Sequence, residues 1–218
     1  MTDSPQHLLV LGATGPTGRH LVEQALASGQ RVTACVRDPA KLDLEHARLD
    51  IVQGDILDAD SLAAAFGDKI DAVACTVGMF HKQPDTSLSD GTRNIVDQMN
   101  KLGISRIVVV SSLGAGDSRG QGNLLARAIQ RFILREVLND KTRQEQLLSK
   151  SGLDWTVFRP PQLTDDPAVR NDVVLWTGKP PRGRMTWKVS RATVARYVLE
   201  ALQTGAHSRA AVNMSEPA

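Results

Sequence analysis

An α/β fold, a doubly wound parallel sheet with helices on both faces, is predicted by three features of the sequence. Short apolar runs alternate with amphipathic stretches of helical period. The runs are rich in Val, Ile and Leu with little polar alternation, as in strands covered on both faces. A glycine cluster lies between the first run and the first helical stretch. At 218 residues the chain can bury one substantial core, so residues 1–218 are expected to form one domain.

Strands are expected over residues 7–11, 31–36, 50–53, 71–75, 106–110 and 155–158. Helices are expected over 17–28, 59–66 and 89–102, with one or two more inside 123–150. Leu21, Val22, Ala25 and Leu26 share one face of the first helix, and Gly29 is its natural stop. Ser190 can cap a last helix carrying Val194, Tyr197, Val198 and Leu202, which ends at Gly205. Residues 160–188, rich in Pro, Gly and charge, follow the sixth strand and form a small, irregular substrate-side elaboration. Within it, 173–177 and 185–188 are candidate short strands, and Lys179, Arg182, Arg184 and Lys188 offer an anion site or an ordinary charged loop. In the segment before it, Arg127, Arg131 and Arg135 share one helical face and Leu125, Ile129, Phe132 and Ile133 another. That pattern is an amphipathic helix with a solvated basic face, or a basic lid.

Composition excludes several classes. Hydrophobic residues are 41% and charged residues 23% of the chain, an ordinary globular balance. A net charge of +2 is too small for a nucleic-acid binder, so anion recognition must be local. The apolar run 8–11 is too short for a signal peptide or membrane span, and a cytoplasmic protein without a membrane partner is expected. Cys35 and Cys75 lie in strand-like runs without CxxC spacing, as buried thiols do. The histidines at 7, 20, 46, 81 and 207 show no ligand spacing, so no metal is expected. His81, in the loop after the fourth strand, can approach a substrate, although packing or surface roles are commoner.

The glycine cluster carries the first chemistry. It reads Gly12-Ala13-Thr14-Gly15-Pro16-Thr17-Gly18, directly between a strand and a helix. Glycines allow the turn and let the backbone approach a pyrophosphate, while the helix start offers free N–H groups to that anion. Pro16 suits the first helical turn, where no backbone donor is needed. This is a Rossmann-type dinucleotide loop with GxxGxxG spacing. The second strand then ends in Arg37, where NAD-specific sites carry an acid, and Lys41 follows one turn on. A guanidinium can hold a 2′-phosphate in bidentate fashion, so NADP is the expected cofactor. Asp38 can instead turn inward and read a ribose, which keeps NAD as the second choice.

The loop spacing, together with Val36-Arg37-Asp38, Gly54-Asp55, Gly91-Thr92-Arg93-Asn94-Ile95-Val96, Ser111-Ser112, Ser151 to Thr156 and Arg159-Pro160, resembles the extended and atypical short-chain dehydrogenase/reductases. The likeness covers almost the whole chain and is greatest to the NmrA-like NAD(P)H-binding subgroup and its flavin reductase/biliverdin-IXβ reductase branch. The resemblance implies that Asp55 and Ile56 lie along the adenine and that Thr76, Val77 and Gly78 line the middle of the cofactor. It also implies Ser111, Lys141, Pro161 and Gln162 as further cofactor-binding residues, with Ser112 and Lys141 as catalytic candidates. In the extended enzymes a Tyr-x-x-x-Lys pair and a Ser perform the proton transfers. Here Lys141 stands where the lysine is expected, but the tyrosine position is Val137, and the chain's one tyrosine, Tyr197, falls in the last helix. Gln162 replaces the histidine that follows the Pro-Pro pair in the flavin/biliverdin branch. Two readings follow: an NADPH-linked reductase of a conjugated small-molecule acceptor, or a non-catalytic dinucleotide sensor that binds a partner protein.

Overall fold

The computed structural model describes residues 6–67, 69–79 and 83–218, and His81 lies outside them. The strands are β1 His7–Leu11, β2 Arg31–Val36, β3 Leu49–Gln53, β4 Ala72–Cys75, β5 Arg106–Val110, β6 Asp154–Arg159, β7 Gln162–Thr164, β8 Val174–Trp176, β9 Lys188–Ser190 and β10 Ala210–Ser215. The helices are α1 Pro16–Ala27, α2 Ala59–Phe66, α3 Ser87–Leu102, α4 Leu124–Phe132, α5 Arg135–Lys150 and α6 Arg191–Thr204.

Among the described residues the main sheet has eight strands in the order β3-β2-β1-β4-β5-β6-β10-β8. All neighbours are parallel except β8, which runs antiparallel to β10. β7 and β9 form a separate parallel pair. The period-two alternation of a strand divides the core into two layers. Leu8 and Val10 of β1 pack with Leu21, Val22 and Ala25 of α1 and with Val194, Val198 and Leu202 of α6. Leu9 and Leu11 face the other way, onto Phe66 of α2, Ile95 and Met99 of α3 and Leu148 of α5. From β1 the chain winds outward through β2 to β3, then returns to β4 on the other side of β1. The connections after β1 and β4 lead to helices on opposite faces of the sheet, α1 and α3, and a crevice opens beyond the carboxyl ends of these strands.

Local signals terminate the elements as the sequence predicts. The Ser190 hydroxyl accepts the Thr193 N–H at 3.1 Å to start α6, and Gly205 ends it with φ of 70°. The segment 123–150 resolves into two helices. In α4, however, the apolar face is not packed: Leu125 is 69% and Phe132 78% exposed. The contact with the body is made instead by Ala126 and Gln130, which press on Gly122 and Gly114. The strand expected at 185–188 forms later, as β9, while Met185 makes a lone bridge to Pro217. Strand β10 has no counterpart in the sequence reading. Its Ala-Ala-Val-Asn-Met-Ser run has weak strand propensity, and insertion between β6 and β8 buries it nonetheless.

Candidate dinucleotide site

Strand β1 delivers the glycine loop to the crevice. Gly12 has φ of +85°, and a Cβ there would lie 2.9 Å from the Val77 backbone nitrogen, so the β1 and β4 exits touch. The Gly15 N–H closes the turn onto the Gly12 carbonyl at 3.0 Å. The first backbone bond of α1 is Arg19 N–H to Gly15 O at 2.9 Å, so the Thr17 and Gly18 N–H groups precede the helical ladder. A Cβ on Gly18 would lie 2.1 Å from the Gly12 carbonyl oxygen. Gly18 therefore serves the close packing of helix on strand, while Gly12 and Gly15 form the cradle.

Four segments meet around a cavity of about 210 Å³. Gly12, Thr14 and Gly15 form one wall; Cys35, Val36 and Arg37 come from the end of β2; Gly54, Asp55 and Ile56 follow β3; Thr76, Val77, Gly78 and Met79 follow β4. The sequence assigns most of these residues to the cofactor, but not Cys35, Val36, Gly54 or Met79. Gly54 had a signal, its place in the Gly54-Asp55 pair. A Cβ there would lie 2.9 Å from the Cys35 sulfur and 3.0 Å from the Ser61 carbonyl. The buried Cys35 thiol is pushed up to about 11, first by burial and then by the Asp55 carboxylate.

The cradle is braced from behind. The Asp55 N–H donates to Ser61 Oγ at 3.1 Å, and Asp55 Oδ1 accepts the Leu57 N–H at 3.0 Å. Asn94 Nδ2 donates to the Ile56 carbonyl at 2.8 Å, and a Cβ on Gly91 would lie 2.5 Å from Ile56 Cδ1. The Gly91 to Val96 motif thus supports the cleft floor from α3. The Thr76 hydroxyl lies 3.0 Å from the Leu11 carbonyl and 3.2 Å from that of Gly12, tying the two exit loops together.

At the end of β2 the two charges expected near a ribose separate. Arg37 is exposed on the cavity wall and forms no ion pair among the described residues. Asp38 caps the following turn, with Oδ1 accepting the Ala40 N–H at 3.2 Å and Oδ2 lying 3.6 Å from Lys41 Nζ. The structure therefore does not bring Lys41 onto the cavity, because the turn at Pro39–Lys41 directs its amine back to Asp38.

The remaining cofactor-binding and catalytic candidates stand further along the same carboxyl edge, around the ends of β5 and β6. Ser111 is committed inward: its hydroxyl donates to Glu145 Oε1 at 2.6 Å. Arg159 donates to the same carboxylate through Nε at 3.0 Å and Nη2 at 2.5 Å, and also binds Asp117. Ser111 was expected to face the cofactor, and this buried network holds it instead. Lys141 lies one turn before Glu145 on α5, and its Nζ donates to the Val110 carbonyl at 3.3 Å. Burial pushes the Lys141 amine below its ordinary range, against the pull of Cys75, Glu145 and Asp140. Val137, one turn earlier again, is buried and offers no acid. Ser112 is half-buried, with only a 3.4 Å contact to the Leu113 carbonyl. Pro161 is half-buried, and exposed Gln162 starts β7 with its N–H directed to the Trp187 carbonyl at 3.3 Å. Tyr197 is a packing residue: its hydroxyl donates to the Asn171 carbonyl at 3.2 Å and its ring lies 6.4 Å from that of Phe158.

Comparisons with known proteins agree with this geometry. An uncharacterised chloroplastic protein of Arabidopsis thaliana is 34% identical over 209 residues, covering 89% of this chain and 71% of its own. Cinnamoyl-CoA reductase 1 of Oryza sativa subsp. japonica is 36% identical over 126 residues, covering 50% of this chain and 35% of its own, so the match spans about a third of that relative. Among solved structures, the anaerobillin reductase ChuY of Escherichia coli O157:H7 superposes with a TM-score of 0.80 at 28% identity, covering 97% of each chain. The family model described as NAD(P)H-binding matches residues 12–205, from the first glycine of the cradle to the glycine that ends α6. With that model spanning nearly the whole chain, the protein belongs to the NAD(P)H-binding family, a Rossmann-type oxidoreductase family.

Proposed function

We propose that the protein is an NADPH-dependent reductase of a planar conjugated acceptor such as a flavin, a quinone or a linear tetrapyrrole. One observation carries the reading: the helix position of the usual phenol is buried Val137, and the one tyrosine is spent on packing far along the chain. Simple ketones need a positioned acid to protonate a localised alkoxide. A delocalised acceptor spreads the incoming charge and can take its proton from water. Similarity to an anaerobillin reductase supports the reductase class.

The residues fit a dinucleotide. The Gly12 and Gly15 backbone can approach a pyrophosphate, since neither residue puts a side chain on the cavity wall that it lines. The exposed Arg37 guanidinium, without an ion-pair partner among the described residues, can hold a 2′-phosphate, while Asp38, engaged in its own turn, leaves the ribose hydroxyls unread. Asp55 and Ile56 would flank the adenine. When bound, the dinucleotide supplies hydride. Ser112 then orients the acceptor through its hydroxyl, and a solvent proton completes the two-electron reduction. Lys141, fixed on the Val110 carbonyl, positions the end of β5 rather than activating a phenol.

A second reading, a non-catalytic dinucleotide sensor, is favoured by the burial of Ser111 and Lys141 in their own network. Loss of NADPH absorbance with FMN, quinones and simple ketones separates the two. Turnover of the conjugated acceptors without the ketones is expected. Ser112→Ala should lower that turnover by no more than about 10²–10³, the scale of one polarising donor. Tight NADPH binding without turnover of any acceptor would make the protein a sensor.

A further inference from the structure

The acceptor side of the edge carries two tryptophans that the dinucleotide site does not use. Strand β10 pairs Asn213 with Arg159 of β6 on one side and with Trp176 of β8 on the other. Trp176 thus stands level with the carboxyl end of β6. Its indole N–H donates to Gln121 Oε1 at 3.1 Å, and Gln121 Nε2 reaches the Gly178 carbonyl at 2.7 Å. Those bonds tie β8 to the loop that follows Ser111 and Ser112. Trp187 lies beyond the end of β10, with its N–H on Ser215 Oγ at 3.0 Å and its carbonyl on the Gln162 N–H at 3.3 Å. The two indoles meet edge to face at 6.1 Å and 87°.

Trp187 is held in an unfavourable backbone state, with φ of 55°. For a bulky side chain the left-handed region is strained, and such strain persists where the surroundings fix it, commonly at ligand sites. Here the neighbours that fix it are Gln162, Ser215 and Trp176. The ring itself is only half-buried. Around it the segment exposes Lys179, Arg182, Arg184 and Lys188, and residues 173–188 contain no acid.

Building on the reductase reading, we propose that residues 179–188 recognise the acceptor: Trp187 stacks on its planar ring and the neighbouring cations hold an anionic tail. The substrate class is then a conjugated ring system carrying phosphate or carboxylate, rather than an uncharged quinone.

The test uses FMN and riboflavin, which share a ring and differ in the phosphate. Trp187→Ala should raise KM for FMN about ten- to a hundredfold with kcat little changed, the scale of one lost stacking partner. Trp187→Phe should keep most of the affinity and, by removing the indole, restore flavin fluorescence that the wild type quenches. Trp155→Phe, at the opposite end of β6, should leave both unchanged. KM for FMN should lie below that for riboflavin at low salt, and the advantage should shrink as salt screens the cations. Wild-type KM and quenching in both Trp187 variants would overturn the stacking assignment, and equal KM values for the two flavins would overturn the anionic class. Absence of turnover in the wild type would remove the reductase reading, while the quenching titration still decides whether Trp187 binds the flavin ring.

Discussion

Gly15 and Arg37 carry the most specific claims at the scale of single residues. Gly15 has φ of −73°, open to any residue, but an added Cβ would press on the Gly12 carbonyl at 3.2 Å. Gly15→Asp adds that crowding and a negative charge where the proposed pyrophosphate would lie. NADPH binding should disappear in a titration, while circular dichroism stays native, because Gly15 itself belongs to neither core layer. Arg37→Ala should weaken NADPH by about 1.5–3 kcal/mol, the range for a hydrogen bond to a charged group, and leave NADH unchanged. Calorimetric titration of both dinucleotides decides it, and equal losses would detach Arg37 from the 2′-phosphate. These two residues were legible in the sequence because glycine between strand and helix, and charge at a strand end, fix their own surroundings. Lys41 and Ser111 were not. Spacing brought each near the site, but the Asp38 turn and the Glu145 carboxylate decide where their polar atoms go.

Between helices, α5 serves α3 as well as the chemistry. The first turn of α3 receives no cap from its own Thr86 side chain, which bonds Asp90 Oδ2 at 2.7 Å instead. Asp140 of α5 supplies the cap, accepting the Leu88 N–H at 2.9 Å and the Ser89 N–H at 3.3 Å. Replacing Asp140 with Ala strands those buried donors and removes the carboxylate 3.3 Å from Arg143, which keeps its bond to the Asp85 carbonyl. Denaturant unfolding should show a loss of about 1–3 kcal/mol, the cost of leaving buried polar groups unpaired. Periodicity located α1 to α3, α6 and the inner strands, because their apolar residues recur at the period of the element. It did not locate β10, whose Asn213 and Ser215 are polar yet buried, since its strand state comes from neighbours on both sides. Nor did it foresee the exposed face of α4. Amphipathic spacing identifies a helix, and which face meets the body depends on small contacts such as Ala126 on Gly122.

As a whole the sheet divides its labour. Strands β1 to β4 present the cleft proposed for the dinucleotide, whereas β6, β10 and β8 carry the segment proposed for the acceptor. The Asn213 side chain links the acceptor strands through Nδ2 to the Trp176 carbonyl at 3.3 Å. Asn213→Ala should loosen β8, raising KM for FMN while NADPH affinity holds. Parallel losses on both sides would mean that the two halves respond as one. The position of β10 also bears on how the chain is made. Synthesis delivers elements in chain order, and domains begin to organise as they emerge. Strands β1 to β6 are available before β10, so until it arrives the outer edge of β6, from Thr156 to Arg159, has no parallel partner. An unpaired apolar edge invites pairing with other chains. The nascent protein is therefore most prone to aggregate after β6 has joined the sheet and before residues 210–215 have been added.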